Sequence, residues 1–125
     1  MIQATTPAEA RLLALVGDAV RGPKRDGLFA LWLVLRAAEG LLPPAAVSAK
    51  NHRRRLQALE TRMASLALPA PLKRALSAAR HHLEPATPGA AALVLSQLVA
   101  PTREVLGPEA GDAVAVAARA ARIHL

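Results

Sequence analysis

Asp26-Gly27-Leu28-Phe29-Ala30-Leu31-Trp32-Leu33-Val34-Leu35-Arg36 is the stretch on which the fold turns. At 100° per residue, Leu28, Phe29, Leu31, Trp32, Leu33, Val34 and Leu35 distribute around a helix and leave no polar face until Arg36. A helix that is apolar all round has to be covered all round, so it belongs in the middle of a bundle or in the interface of a homodimer. The apolar run, Leu28 to Leu35, is far short of the roughly 20 residues that span a bilayer.

Proline and glycine divide the rest of the chain into helical lengths, and no segment has the alternating β-branched pattern of a strand. Thr6-Pro7-Ala8-Glu9 is a capping-box start for a first helix that runs to about Arg21, where Gly22-Pro23 ends it. Asp26 is placed to cap the second, which Gly40 and Pro43-Pro44 close. A third is expected from about Pro44 to Ala67, a fourth from Pro71 to Leu83, a fifth from Thr87-Pro88 through Val99 with Pro101 as its kink or stop, and a last from Gly107-Pro108-Glu109. The expectation is a single all-α domain over residues 1–125, a compact bundle of five or six helices. Dimerisation is suggested by the apolar second helix, by Leu93, Val94, Leu95, Leu98 and Val99 on the fifth, and by the alanine-rich last helix.

Charge is the second informative feature. Lys50, Arg53, Arg54, Arg55, Arg62, Lys73, Arg74 and Arg80 lie between residues 50 and 82 with a single acid, Glu60, so this segment alone carries the chain's whole net charge of +7. On the third helix Leu56, Leu59, Met63 and Leu66 form an apolar stripe. Lys50 and Arg54 lie opposite it, Arg55 and Arg62 flank one edge, and Arg53 and Glu60 share the other. On the fourth, Leu72, Ala75, Leu76, Ala79 and Leu83 point inward and leave Lys73, Arg74, Ser77, Arg80 and His81 outside. If Leu68-Pro69-Ala70-Pro71 is a tight turn, the two basic faces merge. A one-sign surface of this kind suits a polyanion, and the eight bases are the candidate nucleic-acid contacts. The segment has no Phe, Tyr or Trp to stack single-stranded bases, which favours duplex DNA over RNA.

Ser48-Ala49-Lys50-Asn51-His52-Arg53-Arg54-Arg55-Leu56-Gln57-Ala58-Leu59-Glu60 resembles the recognition helix of bacterial helix-turn-helix regulators. The resemblance covers 13 residues and implies that Ser48, Lys50, Asn51, Arg53 and Arg54 face phosphates or base edges. Gly40 to Ala46 with its Pro43-Pro44 leaves little room for that family's preceding helix, and no β wing follows, so contact with phosphates is expected more than reading of bases.

Nothing in the chain spells out a reaction. There is no Cys, Walker loop, dinucleotide fingerprint or nucleophile elbow, and the nine acids are scattered, so no enzyme and no cofactor are expected. His81, His82 and Glu84 do not amount to a metal ligand set, and the histidines suit the C-terminal end of a helix dipole. The N-terminus has neither a signal-peptide nor a transit-peptide pattern, and a cytoplasmic location is expected. The rival functional reading is a helical protein-interaction or scaffold module whose basic face is merely solvated or meets an acidic protein partner.

Overall fold

The structure, a computed structural model, describes residues 6–43 and 45–123. The chain is all-helical: α1 (Pro7–Asp18), α2 (Pro23–Glu39), α3 (Ala49–Ser65), α4 (Ala70–His82), α5 (Pro88–Leu106) and α6 (Pro108–Arg122). No strand occurs among the described residues, and no described helix is long and apolar enough to cross a membrane.

Helix α2 packs against each of the other five. Leu28, Leu31, Val34 and Leu35 are fully enclosed and Trp32 nearly so, and the covering comes from within one chain. Each fully buried aliphatic side chain contributes roughly 1.5–3 kcal/mol relative to an exposed one, so this axis is a large part of a core that also takes Leu12, Leu59, Leu72, Leu76 and Leu95 from the other helices. The sequence misplaces its start. Asp26 does not cap it; Pro23, whose ring presets φ, takes the first helical position after Gly22, which sits at φ 148°. Asp26 instead accepts a hydrogen bond at 3.1 Å from the backbone N–H of Ala67, tying the α3–α4 connection to α2.

Other boundaries also shift. The first helix stops at Asp18 rather than near Arg21, as the chain becomes extended at Ala19; an acid in the last turn opposes the helix dipole. The third does not begin near Pro44, which itself lies outside the described residues. It begins at Ala49, where the Ser48 hydroxyl accepts from the Asn51 N–H at 3.2 Å, and it ends at Ser65 rather than Ala67. The connection from Gly40 to Ser48 is longer than the three- or four-residue turn of a helix-turn-helix motif. The fourth helix lies within a residue of its expected limits. The fifth passes through Pro101 instead of stopping, because Val94, Leu95, Leu98, Thr102 and Leu106 continue one buried stripe across it.

Helices α5 and α6 form the most extensively packed pair, an antiparallel hairpin joined at Gly107, whose φ of 102° favours glycine. Gly111 lets α6 close onto Arg103, which in turn reaches Asp112 at 2.9 Å. A Cβ at Gly111 would lie 2.8 Å from the Arg103 Cβ and 3.1 Å from its Cα, so backbone must move. At Gly17 a Cβ meets nothing within 4 Å. Gly111→Ala is therefore expected to lower stability by about 1 kcal/mol net of the helix propensity gained, and Gly17→Ala to raise it by about 0.5–1 kcal/mol. Denaturant titration of the two variants checks both signs.

Candidate functional site

Helices α3 and α4 run antiparallel. His52, in the first turn of α3, is fully buried and donates from Nε2 to the carbonyl of Leu83 at 2.7 Å, satisfying one of the carbonyls left over at the end of α4. Near the other end, Ala64 and Lys73 line the same shallow groove between the helices, with Glu60, Ser77, Arg80 and His81.

The eight candidate bases fall into two groups. Lys50, Arg53, Arg54, Arg62, Lys73 and Arg74 are exposed, and no ion pair joins any of them to an acid among the described residues. Lys50, Arg53 and Arg54 cluster at the start of α3, while Lys73 and Arg74 lie about ten residues further along the hairpin, ~15 Å at the helical rise. Arg62 lies on the α2 side, its guanidinium carbon 5.5 Å from the centre of the Phe29 ring.

The other two are turned to different tasks. Arg80 is held by Glu60 at 3.3 Å and by Glu84 one helical turn on, so the seam between the basic faces is neutralised at its centre. Arg53 and Glu60 share an edge of α3, but the α3–α4 packing brings Glu60 to Arg80. Arg55 bends toward α2, where its Nη1 donates to the Arg36 carbonyl at 3.2 Å. His81 and His82 are both exposed with their rings edge-on, and no group of three or more potential metal ligands occurs among the described residues.

Arg55 leads to a site that the sequence did not reveal. It lines a cavity of about 330 Å³ together with Thr6, Glu9, Arg36, Glu39 and the apolar Leu42, Pro43, Ala45 and Ala120. Glu9 and Glu39 are both buried, at 3% and 8% exposure, although they come from α1 and α2. The Thr6 hydroxyl joins them: it accepts from the Glu9 N–H at 3.1 Å and lies 2.8 Å from Glu39 Oε1 and 3.1 Å from Glu9 Oε2. Burial raises the Glu39 carboxyl from 4.5 to about 7; the Thr6 hydrogen bond opposes this, and the charge and hydrogen bond of Glu9 add to it. Burial and the neighbouring Arg36 push the Arg55 guanidinium down, with Glu9 opposing them.

Compared with protein-family models, curated proteins and solved structures, the chain matches none.

A carboxyl whose pKa is higher in the fold than in the unfolded chain takes up a proton on folding. Its contribution is present below the unfolded value and is lost as pH rises through the folded one. The shift of Glu39 from 4.5 to about 7 therefore predicts that stability declines between those values, by up to about 3 kcal/mol. Glu39→Gln should flatten this dependence and be more stable than the parent at pH 8. Thermal melts from pH 5 to 8 test it, and an unchanged slope in the variant would contradict the assignment.

Proposed function

We propose that the chain is a non-enzymatic protein that binds the phosphate backbone of nucleic acid, duplex DNA in preference to RNA, through the outward bases of α3 and α4. The observation that carries this reading is the exposure of Lys50, Arg53, Arg54, Lys73 and Arg74 on one helical hairpin with no acid paired to them among the described residues. Charges of one sign held on one helical hairpin raise the local concentration of a polyanion and need no particular base sequence. Arg62 extends the surface toward α2, whereas Arg80 and Arg55, both in the original set of eight, contribute little because their guanidinium groups are engaged elsewhere. The backbone geometry before α3 supports phosphate contact over helix-turn-helix base reading.

A homodimer in the cytoplasm remains part of the proposal. The argument for pairing now rests chiefly on Leu93 and Val116, apolar and partly exposed on α5 and α6, since α2 is covered within its own chain except at the half-buried Phe29 and Leu33. The same two residues favour the second reading, a protein-interaction module. Co-purification of a protein partner that survives nuclease and high salt would support that reading.

Fluorescence anisotropy with duplex DNA distinguishes them. With about five phosphates neutralised, log K against log salt should have a slope near −4.5. Lys50, Arg53 and Arg54 changed together to Gln should bring it to about −1.8, while Arg55→Gln should leave it as it was. Absence of binding at about 50 mM salt, where such contacts are strong, or an unaltered slope in the triple variant, would rule the proposal out.

A further inference from the structure

The helices around α2 form a ring that does not close. Each packs on α2, and α1 touches α6, α6 touches α5, α5 touches α4 and α4 touches α3, but α3 and α1 make no contact. A seam along α2 is left open between them. Its floor carries Arg25, Phe29, Leu33 and Arg36, which recur at the three- and four-residue spacing of one helix face over ~16 Å of axis. Phe29 and Leu33 are the half-buried members of the apolar run, and α1 adds Val16 beside Phe29.

The rim of the seam is basic. The guanidinium carbon of Arg62, on α3, lies 5.5 Å from the centre of the Phe29 ring, and that of Arg36 lies 5.6 Å from the centre of the Trp32 ring, on which Phe29 stacks at 5.9 Å. Arg21 and Arg25 line, with Val16 and Phe29, an open depression of about 540 Å³ at the N-terminal end of α2. No ion pair joins any of these four arginines to an acid among the described residues. Asp26 is the acid that lines the depression, and its Oδ2 already accepts from the Ala67 N–H. The chain's one Phe, its one Trp and four arginines therefore meet where the bundle is open, and aromatic and arginine side chains are the ones enriched at the anchoring centres of protein interfaces.

We propose that this seam binds an acidic amphipathic helix of a protein partner, about three turns long, its apolar stripe on Val16, Phe29 and Leu33 and its carboxylates against Arg21, Arg25, Arg36 and Arg62. Charge complementarity selects the sign of the partner, because each guanidinium offers paired N–H groups to a carboxylate. The apolar floor selects a stripe of side chains over a phosphate chain. Phosphates would meet the arginines but leave Phe29 and Leu33 in water. Bases would need a row of flat rings to stack on, and the floor offers one half-buried ring, already flanked by Trp32 and Arg62, followed by an aliphatic side chain.

Arg62 borders both this seam and the basic surface proposed for nucleic acid. Lys50, Arg53, Arg54, Lys73 and Arg74 belong to that surface alone, and Arg21, Arg25, Phe29 and Leu33 to the seam alone, so either proposal can fail without the other.

The test is fluorescence anisotropy of the full chain with a labelled synthetic helix of about 16 residues, leucines at i, i+3, i+4 and i+7 spacing and glutamates along both flanks. Beside it go the same peptide with every leucine changed to serine and the same peptide with every glutamate changed to lysine. The acidic amphipathic peptide should bind with a Kd below about 100 µM and at least about tenfold tighter than either comparison peptide. Arg25→Glu combined with Arg62→Glu, checked as folded by circular dichroism, should weaken it at least about tenfold and shift the preference toward the lysine form. Lys50, Arg53 and Arg54 changed together to Gln should leave its affinity within about twofold, and an oligothymidylate of about 15 nucleotides should not displace it from that variant. Absence of peptide binding, equal binding of the serine or lysine form, parental affinity in the folded double variant, or displacement by the oligonucleotide would overturn the proposal. The comparison peptides are read on the unaltered chain, so the outcome does not depend on how the variants fold.

Discussion

Helix α2 packs against all five of the other helices, and the need to cover its apolar side chains organises the rest of the chain. A helix with a broad polar face can lie on a surface; one that buries Leu28, Leu31, Trp32, Val34 and Leu35, with Phe29 and Leu33 half-buried on the remaining flank, cannot. With only Phe29 and Trp32 as aromatics, the protein builds its core from leucine, valine and alanine, so the covering helices must come close and there must be several of them. Alanine on α6 and glycine at positions 27 and 111 permit that approach. A Cβ at Gly27 would fall 2.7 Å from Leu72 and 2.9 Å from Leu106, where α4 and α5 meet α2.

Enclosing α2 also decides where polar groups can go. The two ends of the axis are where the covering helices must turn, and at its C-terminal end the enclosure traps a carboxyl. Glu39 follows directly on the apolar face and is carried inward with it, and the first turn of α1 closes over it with Thr6 and Glu9. Desolvation of this kind is costly, and among the described residues it is moderated by protonation and by the Thr6 hydroxyl, with no ion pair to Glu39. A residue that served only solubility would have remained in solvent.

The architecture was legible because each covering helix carries its own signals. Pro7, Pro23, Pro71, Pro88 and Pro108 all stand in first turns, and the stripes Leu56-Leu59-Met63 and Leu72-Leu76-Ala79 are buried as their periodicity predicts. Local chemistry misled where tertiary packing overrode it. Pro101 does not stop α5, because the buried stripe on both sides of it outweighs one lost hydrogen bond, and Asp26 caps nothing because Pro23 starts the helix earlier. The basic surface was readable as a count and, in part, as a face. The cavity was not readable, since Glu9 and Glu39 stand thirty residues apart, each explained on its own by a helix end. The one available hint was an acid at the close of an otherwise apolar helix, where the dipole disfavours it.

Arg54 and Arg55 show how little separates the two surfaces. They are adjacent and chemically identical, and one 100° step of α3 directs the first to solvent and the second to α2. Composition treats them as equal members of a basic run. The fold does not, because α3 lies with one flank against α2 and only its outer side is open. Gly40 leaves room beside Arg55: a Cβ there would overlap its Nη1, and the guanidinium would have to shift. Gly40, at φ −63° and ψ −18°, has no conformational need to be glycine; what a side chain there would meet is the Arg55 guanidinium and, at 3.2 Å, the Arg36 carbonyl.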